Sequence, residues 1–195
     1  MKSNNKKKSN NKGLAEIFGT HAVHAALQNP SRKHEKLFIS QHQRTILGKG
    51  IEKLVPNINV LHNKEMFKMF GNESTHQGIV LRTSKLQQPS LQEFINDTYK
   101  NETDVVVMLD QVTDPNNIGS IMRSCSLFNS KSIIVSNDNA PDVTATMAKA
   151  ASGALESVNY ISVVNLSRAM IQFKKNNYWI YGFDSNKNKK KIINL

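Results

Sequence analysis

The 195-residue sequence predicts an α/β protein built from two consecutive domains. Residues 16–82 alternate between short helical patterns and short strands, as in a small α/β sandwich. Residues 104–135 have the pattern of a strand, a helix and a second strand, which places the two strands side by side and parallel. Between these regions, residues 83–92 are polar, contain one proline and lack periodicity, which indicates a linker.

The first domain is predicted to begin with a helix whose apolar residues Ala22, Val23, Ala26 and Leu27 share one face, and which ends at Asn29-Pro30. A strand over 36–40 follows. The next helix, 43–54, directs four apolar side chains to the core, namely Ile46, Leu47, Ile51 and Leu54. A strand at 58–61, a helix at 64–70 stopped by Gly71-Asn72, and a strand at 78–82 complete the domain.

The second domain is predicted to start after a short helix over 91–99. Residues 105–109 form a continuous apolar run, typical of a strand buried on both faces. The next helix has one apolar face, formed by Ile118, Ile121, Met122, Cys125 and Phe128. After a strand at 132–135 and a loop at 136–141, the pattern gives a helix at 145–154, a strand at 161–164, a helix at 166–175 and a strand at 179–183.

Two polar residues of the strand–helix–strand unit are candidates for a site. Asn117 lies at the helix start, after the carboxyl end of a strand, where open α/β sheets bind ligands. Arg123 points away from the apolar face. A helix start also offers backbone N–H groups to anions. The alternative is an N-cap asparagine and a solvated surface arginine, because both are common.

The formal net charge is +11, and its distribution points to the chain ends. Residues 1–12 contain five lysines and 187–191 contain four, with no acidic residue in either segment, so the rest is nearly neutral. Basic tails attract nucleic acid by displacing counterions. Solvated disordered ends have the same composition, and we expect residues 1–12 to be disordered.

Several functional classes are excluded by what the sequence lacks. The single cysteine, Cys125, cannot form an internal disulfide and is expected in the core of a protein in a reducing compartment. No Cys/His cluster has the spacing of a metal site. No apolar stretch approaches 18 residues, and the N-terminus lacks the apolar region of a secretory signal. We therefore expect a cytoplasmic protein without a metal and without a membrane span.

The segment DPNNIGSIMRSCSLFNSKSIIV resembles the first signature of the SpoU family of RNA 2'-O-ribose methyltransferases. The match falls on Asp114, Pro115, Asn117, Gly119 and Arg123. The resemblance implies that Asn117 and Arg123 belong to the catalytic site. The arginine would engage the ribose hydroxyl or its phosphate, for which a planar, permanently charged guanidinium is suited.

Two further stretches resemble the family. IFGTHAVHAAL and HQGIVL are similar to the opening and closing signatures of the SpoU substrate-binding domain, which resembles small RNA-binding ribosomal proteins. This implies that Gly19, Thr20 and His21 lie near RNA. The alternative makes His21 and His76 ordinary, partly buried polar residues.

A second methyltransferase signature is resembled by Lys149, Ser152, Gly153, Ala154 and Glu156. Lys149, Ser152 and Gly153 are therefore candidates for RNA binding, since serine and glycine allow a ligand to approach the backbone closely. The alternative is tight helix packing.

The resemblance implies a basic tail at 1–12, a substrate-binding domain at 13–82, a linker with a lead-in helix at 83–102 and a methyltransferase domain at 103–195. It implies S-adenosyl-L-methionine as cofactor, RNA, and specifically rRNA, as partner, and a homodimer. The most similar members modify guanosine in large-subunit rRNA.

Family members carry two more signatures after the point where this sequence ends. We therefore expect a parallel-sheet α/β-knot (SPOUT) domain that lacks its C-terminal knot, part of its dimer interface and its cofactor pocket, and no cofactor-binding residue is assigned. The alternative function is a truncated, inactive remnant or an RNA-binding module.

Overall fold

The computed structural model describes residues 13–98, 104–138, 140–183 and 193–194. The predicted disorder of 1–12, the lysines at 187–191 and the end of the predicted 91–99 helix lie outside the described residues. The described residues form two α/β domains, in agreement with the predicted fold class.

The first domain contains a four-stranded mixed sheet with the order β1-β4-β2-β3. Strands β1 and β2 both pair antiparallel with β4, and β2 pairs parallel with β3. Its elements are β1 (Leu14–Phe18), α1 (Thr20–Gln28), β2 (His34–Ser40), α2 (Gln41–Leu47), a 3₁₀ turn (Lys49–Lys53), β3 (Ile58–Leu61), α3 (Asn63–Phe70), α4 (Glu73–His76) and β4 (Ile79–Ser84).

The apolar face of α1 is buried as predicted, and the chain leaves the helix at Asn29. The strand at 58–61 and the helix stop at Gly71, where φ is +84°, are also confirmed. Strand β1 and helix α4 were not predicted. Both are short, and β1 gains its stability from pairing with β4, which lies more than sixty residues away in sequence.

The predicted helix over 43–54 is wrong. Gly48, with φ of +74°, ends α2 and separates it from the 3₁₀ turn. Ile46 is 57% exposed and Leu54 is 47% exposed, whereas Ile51 is buried. Glycine adopts this backbone conformation without steric cost, and the change of direction rotates the expected apolar stripe out of register.

The second domain contains a parallel sheet with the order β5-β6-β7. The strand–helix–strand unit is therefore confirmed. Its elements are α5 (Leu91–Thr98), β5 (Val106–Leu109), α6 (Pro115–Leu127), β6 (Ser132–Ser136), α7 (Ala145–Ala151), a 3₁₀ turn (Ala154–Glu156), β7 (Asn159–Val163), α8 (Leu166–Lys175), β8 (Tyr181–Gly182) and β9 (Ile193–Asn194), the last two forming an antiparallel pair.

Three local predictions for this domain need correction. Strand β5 is half-buried rather than buried on both faces, because it lies at the edge of the described sheet, while the central strand β6 is buried over Ser132–Val135. Phe128 is 81% exposed, because α6 ends at Leu127 and the helical periodicity stops there. The predicted 145–154 helix ends at Ala151, where Ser152 and Gly153 take positive φ.

The two domains share one hydrophobic core. Ile17, Val23 and Leu81 of the first domain belong to the same buried cluster as Met122 and Met147 of the second. Helix α7 lies between α6 and the β1–α1 corner, so it contacts both domains. Within the described residues, no helix is both long enough and apolar enough to cross a membrane.

Candidate functional site

Helix α6 is started by its own aspartate and proline. Asp114 Oδ1 accepts a hydrogen bond from the Asn116 backbone N–H at 3.0 Å, and Pro115 occupies the first helical position. These are the residue types that favour such positions. The N-cap is therefore Asp114, and the alternative role of Asn117 as the cap is wrong. Asn117 instead projects from the first turn with an exposed side chain.

Arg123 also projects into solvent from α6. Neither Arg123 nor Asn117 makes an ion pair or a side-chain hydrogen bond within the described part of the chain. Six positions on a helix separate two residues by about 9 Å along the axis and about 120° around it. The two side chains are thus free to contact different parts of one extended ligand, and they do not contact each other.

The glycine of the same motif has a packing role. A Cβ atom at Gly119 would lie 2.7 Å from the Met147 carbonyl oxygen and 2.6 Å from the Ala150 Cβ. Only glycine allows α6 and α7 to approach this closely. The motif therefore combines a helix cap, a helix contact and two exposed polar side chains on one short element.

The six predicted RNA-binding residues lie together where the two domains meet, and we call this set the domain interface: Gly19, Thr20 and His21 from the first domain with Lys149, Ser152 and Gly153 from the second. A Cβ at Gly19 would lie 3.3 Å from Lys149 Cγ. One at Gly153 would lie 2.8 Å from Ala25 Cβ and 3.5 Å from the His21 carbonyl oxygen.

Accessibility divides these six residues into two groups. Gly19 is buried, and Gly153 faces the first domain, so both glycines serve the approach of one domain to the other. His21 is exposed, and Thr20, Lys149 and Ser152 are half-buried. These four side chains lie at the rim of the contact, where a ligand spanning both domains can reach them.

The loop with His76, Gln77 and Gly78 contacts the first-domain part of this interface through the start of α1. His76 is buried, and its Nδ1 accepts a hydrogen bond from the Gly78 N–H at 2.9 Å while Nε2 lies 3.3 Å from the Gly71 carbonyl oxygen. Nε2 must then carry the proton. His76 is therefore more deeply buried than the alternative expected, because its ring is enclosed and makes two backbone contacts.

Gln77 connects this loop to the start of α1. Its Oε1 accepts the Thr20 N–H at 3.0 Å, and its carbonyl oxygen accepts Gln43 Nε2 at 2.9 Å. Gln43 Nε2 also lies 3.1 Å from Thr20 Oγ1. The Gly19–Thr20 turn is therefore held by side-chain amides distant in sequence.

An ion pair between the domains was missed by sequence reasoning. The Arg32 Nε and Nη2 atoms each donate to one carboxylate oxygen of Glu156 at 2.8 Å, and Asn29 Nδ2 donates to Glu156 Oε2 at 2.7 Å. The Arg32 side chain is 2% exposed and that of Glu156 is 10% exposed. Glu156 was visible as part of a signature, but its partners lie more than 120 residues away.

Burial shifts the pKa of three groups near these elements. It lowers the pKa of His34, with a smaller lowering contribution from the Arg32 charge. It raises the pKa of the Cys125 thiol, so this side chain is a core residue, as predicted, and not a nucleophile. Burial, with a contribution from Asp142, also raises the pKa of Tyr160 to about 12, and its hydroxyl donates to the Pro141 carbonyl oxygen at 3.0 Å.

The residues described at the carboxyl edge of the parallel sheet form an open surface for S-adenosylmethionine and do not enclose it. Cofactor pockets enclose most of the ligand surface. Here Asp110, Asn137, Asp138 and Val164, which follow the three strands, are all exposed. No cluster of His, Cys, Asp and Glu suited to a metal ion occurs among the described residues.

The fold and the site define a two-domain α/β protein that presents polar side chains on the helix after its first parallel strand. Residues 104–195 match the SpoU rRNA Methylase family, and residues 17–89 match the RNA 2'-O ribose methyltransferase substrate-binding family. The chain belongs to the SpoU methyltransferase family, whose members transfer methyl groups from S-adenosyl-L-methionine to RNA.

Two relatives illustrate the similarity in sequence. The chain is 30% identical over 175 residues to the 23S rRNA (guanosine-2'-O-)-methyltransferase RlmB of Salmonella typhimurium, covering 85% of this chain and 70% of the relative. It is also 30% identical over 171 residues to a protein of Synechocystis named as an uncharacterized tRNA/rRNA methyltransferase. The chain spans only 44% of that relative's length.

Solved structures show the same fold. The SpoU methyltransferase AviRb of Streptomyces viridochromogenes, in complex with its cofactor AdoMet, matches with a TM-score of 0.61 at 19% identity, covering 85% of this chain and 61% of AviRb. A TrmH-family protein of Porphyromonas gingivalis matches with a TM-score of 0.59 at 18% identity, covering 85% and 60%.

Proposed function

We propose that this chain acts in the 2'-O-ribose methylation of rRNA, with S-adenosyl-L-methionine supplying the methyl group. Family membership supports the reaction class, and the similarity to RlmB, named as a guanosine methyltransferase of 23S rRNA, supports the substrate class. The proposal also takes a homodimer from the family. It assigns the protein to the cytoplasm, because rRNA is the proposed substrate.

The observation that carries the proposal is the meeting of two matched regions at one surface. The opening signature of the substrate-binding domain contacts the second methyltransferase signature through Gly19 and Lys149. Gly119 of the first signature packs on the same helix, α7. All three signatures thus lie on adjoining elements, as a shared RNA-facing surface requires.

In this proposal Arg123 and Asn117 are the catalytic residues. The Arg123 guanidinium binds the phosphate or hydroxyl of the target ribose, since its planar fork makes two parallel hydrogen bonds to phosphate oxygens. Its positive charge also stabilises the ribose oxyanion that forms when the 2'-hydroxyl loses its proton. Asn117 offers an amide donor and acceptor to orient the same nucleotide.

The rim of the domain interface holds the adjacent RNA in the same proposal. Lys149 supplies positive charge, Thr20 and Ser152 supply hydroxyls, and His21 supplies a ring for hydrogen bonding or base stacking. Gly19 and Gly153 contribute by letting the two domains meet.

Alkaline hydrolysis of unmodified rRNA after incubation with the chain and S-adenosylmethionine tests the function. A methylated 2'-oxygen cannot attack the neighbouring phosphodiester, so the modified position resists cleavage. We expect one resistant position, and its loss in Arg123→Lys, because lysine keeps the charge without the fork. Arg168→Lys, an exposed arginine on α8, is the matched control. No resistant position with the unchanged chain, or equal activity in Arg123→Lys, would contradict the proposal.

A further inference from the structure

A cavity of about 570 Å³ lies between the two domains, and neither Arg123 nor Asn117 is among the residues that line it. Three segments form its walls, namely residues 29–33 after α1, residues 84–88 after β4 and residues 155–159 leading into β7. We call it the interdomain cleft. Asn159 is the first residue of β7, whereas Asn117 lies in the first turn of α6, on the carboxyl side of β5. Because the strands are parallel, the cleft and Asn117 lie at opposite edges of the sheet. Helix α6 runs back towards the cleft, and Ser126, one turn beyond Arg123, places its hydroxyl 3.3 Å from that of Ser157 in the lining.

The lining of the cleft is mostly polar and carries positive charge. Lys33 and Lys85 are both exposed on its walls, and neither forms an ion pair with a carboxylate of the described residues. Glu156 is the acidic residue of the lining, and both of its carboxylate oxygens are occupied by Arg32 and Asn29. The remaining polar groups are amides and hydroxyls, from Ser31, Ser84, Gln87, Gln88, Ser157 and Asn159.

The walls are fixed in relation to one another. Ser84 N–H donates to the Lys33 carbonyl oxygen at 2.9 Å, and Lys33 N–H donates to Ser84 Oγ at 3.0 Å. Gln88 Oε1 accepts the Tyr160 N–H at 2.8 Å, which attaches the linker to β7. The Arg32 guanidinium bridges the Ser84 carbonyl oxygen and Glu156. A site prepared in this way loses little conformational entropy when it binds.

We propose that the interdomain cleft binds the sugar-phosphate backbone of single-stranded RNA, through residues other than the catalytic candidates. The inference rests on the proposed function for its substrate class. Two ammonium groups match phosphates, and side-chain amides and hydroxyls, as donors and acceptors, match the ribose 2'-hydroxyl. The apolar part of the lining, Leu86, Leu155 and Val158, is too small and too divided to favour an apolar ligand instead.

The test measures binding of a fluorescein-labelled oligouridylate of about 12 nucleotides to the full chain by anisotropy over a range of salt concentrations. The variant is Lys33→Ala with Lys85→Ala, and the matched control is Lys174→Ala with Lys175→Ala, two exposed lysines at the end of α8. All four side chains are exposed, so the variants keep the fold, which circular dichroism verifies.

We expect the cleft variant to bind more weakly and its slope of log affinity against log salt to fall by about 1.4, since each phosphate contact to a single strand contributes roughly 0.7. The control keeps the slope of the unchanged chain. Bound RNA should also protect Lys33 and Lys85 from acetylation. A single-stranded DNA oligomer of the same length should bind less tightly than the RNA, because it lacks the 2'-hydroxyls.

Three results would overturn the inference. Equal slopes in the cleft variant and the unchanged chain would remove the cleft from the RNA contact while leaving the proposed function in place. Displacement of the RNA by inorganic phosphate at constant ionic strength would identify the cleft as a site for free anions. Failure of the unchanged chain to bind any RNA oligomer would contradict both the inference and the proposed function.

Discussion

Single residues explain much of how the two domains come together. Gly119 lets α6 approach α7, Gly153 lets the second domain approach α1, and Gly19 turns the chain where β1 passes into α1. Gly119 and Gly153 would each place a Cβ within 3 Å of a neighbouring atom. Glycine is needed at these two positions because a side chain would contact neighbouring atoms too closely, and not because the backbone must be flexible. A glycine in a sequence signature does not by itself distinguish these two reasons.

Gly119→Ala should destabilise the protein by about 1–3 kcal/mol, because the added methyl meets the Met147 carbonyl oxygen, a backbone atom that cannot move aside easily. Urea unfolding measures the change. Gly50→Ala is the matched control, since a Cβ there meets no atom within 4 Å. Equal stabilities of the two variants would mean that α6 and α7 adjust freely.

His34 should make stability depend on pH. Burial lowers its pKa in the folded chain below the ordinary value of about 6.5. The unfolded chain therefore binds a proton at His34 more readily than the folded chain does. The contribution of His34 to the free energy of unfolding is complete above about pH 6.5 and is lost as the pH falls towards the lowered pKa. We expect the melting temperature of the unchanged chain to fall more steeply between pH 7 and pH 5 than that of His34→Gln.

The exposed His42, changed to Gln, is the control for this comparison, since its loss should leave the steep decline unchanged. The loss of the His34 contact to Thr83 Oγ1 shifts the melting temperature of His34→Gln at every pH and does not alter the slope. Parallel curves for the unchanged chain and His34→Gln would contradict the assignment.

At the scale of elements, α6 carries three functions on thirteen residues. Its start is fixed by the Asp114 cap, one face packs on α7 and the β-sheet, and the opposite face presents Asn117 and Arg123. The position of the two candidate catalytic residues therefore depends on where the helix begins.

Asp114→Ala should cost about 1 kcal/mol of stability, because the Asn116 N–H loses its side-chain partner. Amide hydrogen exchange should speed up in the first turn of α6. Asn165→Ala removes the corresponding cap of α8, where Oδ1 accepts the Arg168 N–H at 2.9 Å, and should cost a similar amount without affecting α6. Unchanged exchange at α6 in Asp114→Ala would show that packing alone fixes its start.

At the scale of the whole molecule, the two domains are joined by more than the linker. They share a core, and the Arg32–Glu156 ion pair crosses between them in a buried environment. A buried charge without a partner destabilises the folded state, so removing either Arg32 or Glu156 leaves the other as an unpaired buried charge. This coupling predicts one cooperative unfolding transition for the described residues instead of two.

Arg32→Met should destabilise the protein by about 3 kcal/mol, because it leaves the Glu156 carboxylate with only Asn29 as a donor. Adding Glu156→Gln removes the unpaired charge and keeps an acceptor for Asn29, so the double variant should regain part of the loss. A double-mutant cycle by thermal unfolding gives the coupling. Additive effects in the cycle, or two separate transitions in the unchanged chain, would contradict the role of this pair.

The sequence by itself determined the alternation of elements and the parallel strand–helix–strand unit, because periodicity is a local property. Its resemblance to the SpoU signatures singled out Asn117, Arg123, Gly19 and Lys149. It did not predict that Gly48 would break a helix or that Phe128 would be exposed, since element ends depend on single backbone conformations. Only the tertiary structure decided that Gly19 meets Lys149 and that Arg32 meets Glu156. Contacts between residues far apart in sequence follow from how the two sheets and their helices pack, and no local pattern encodes that packing.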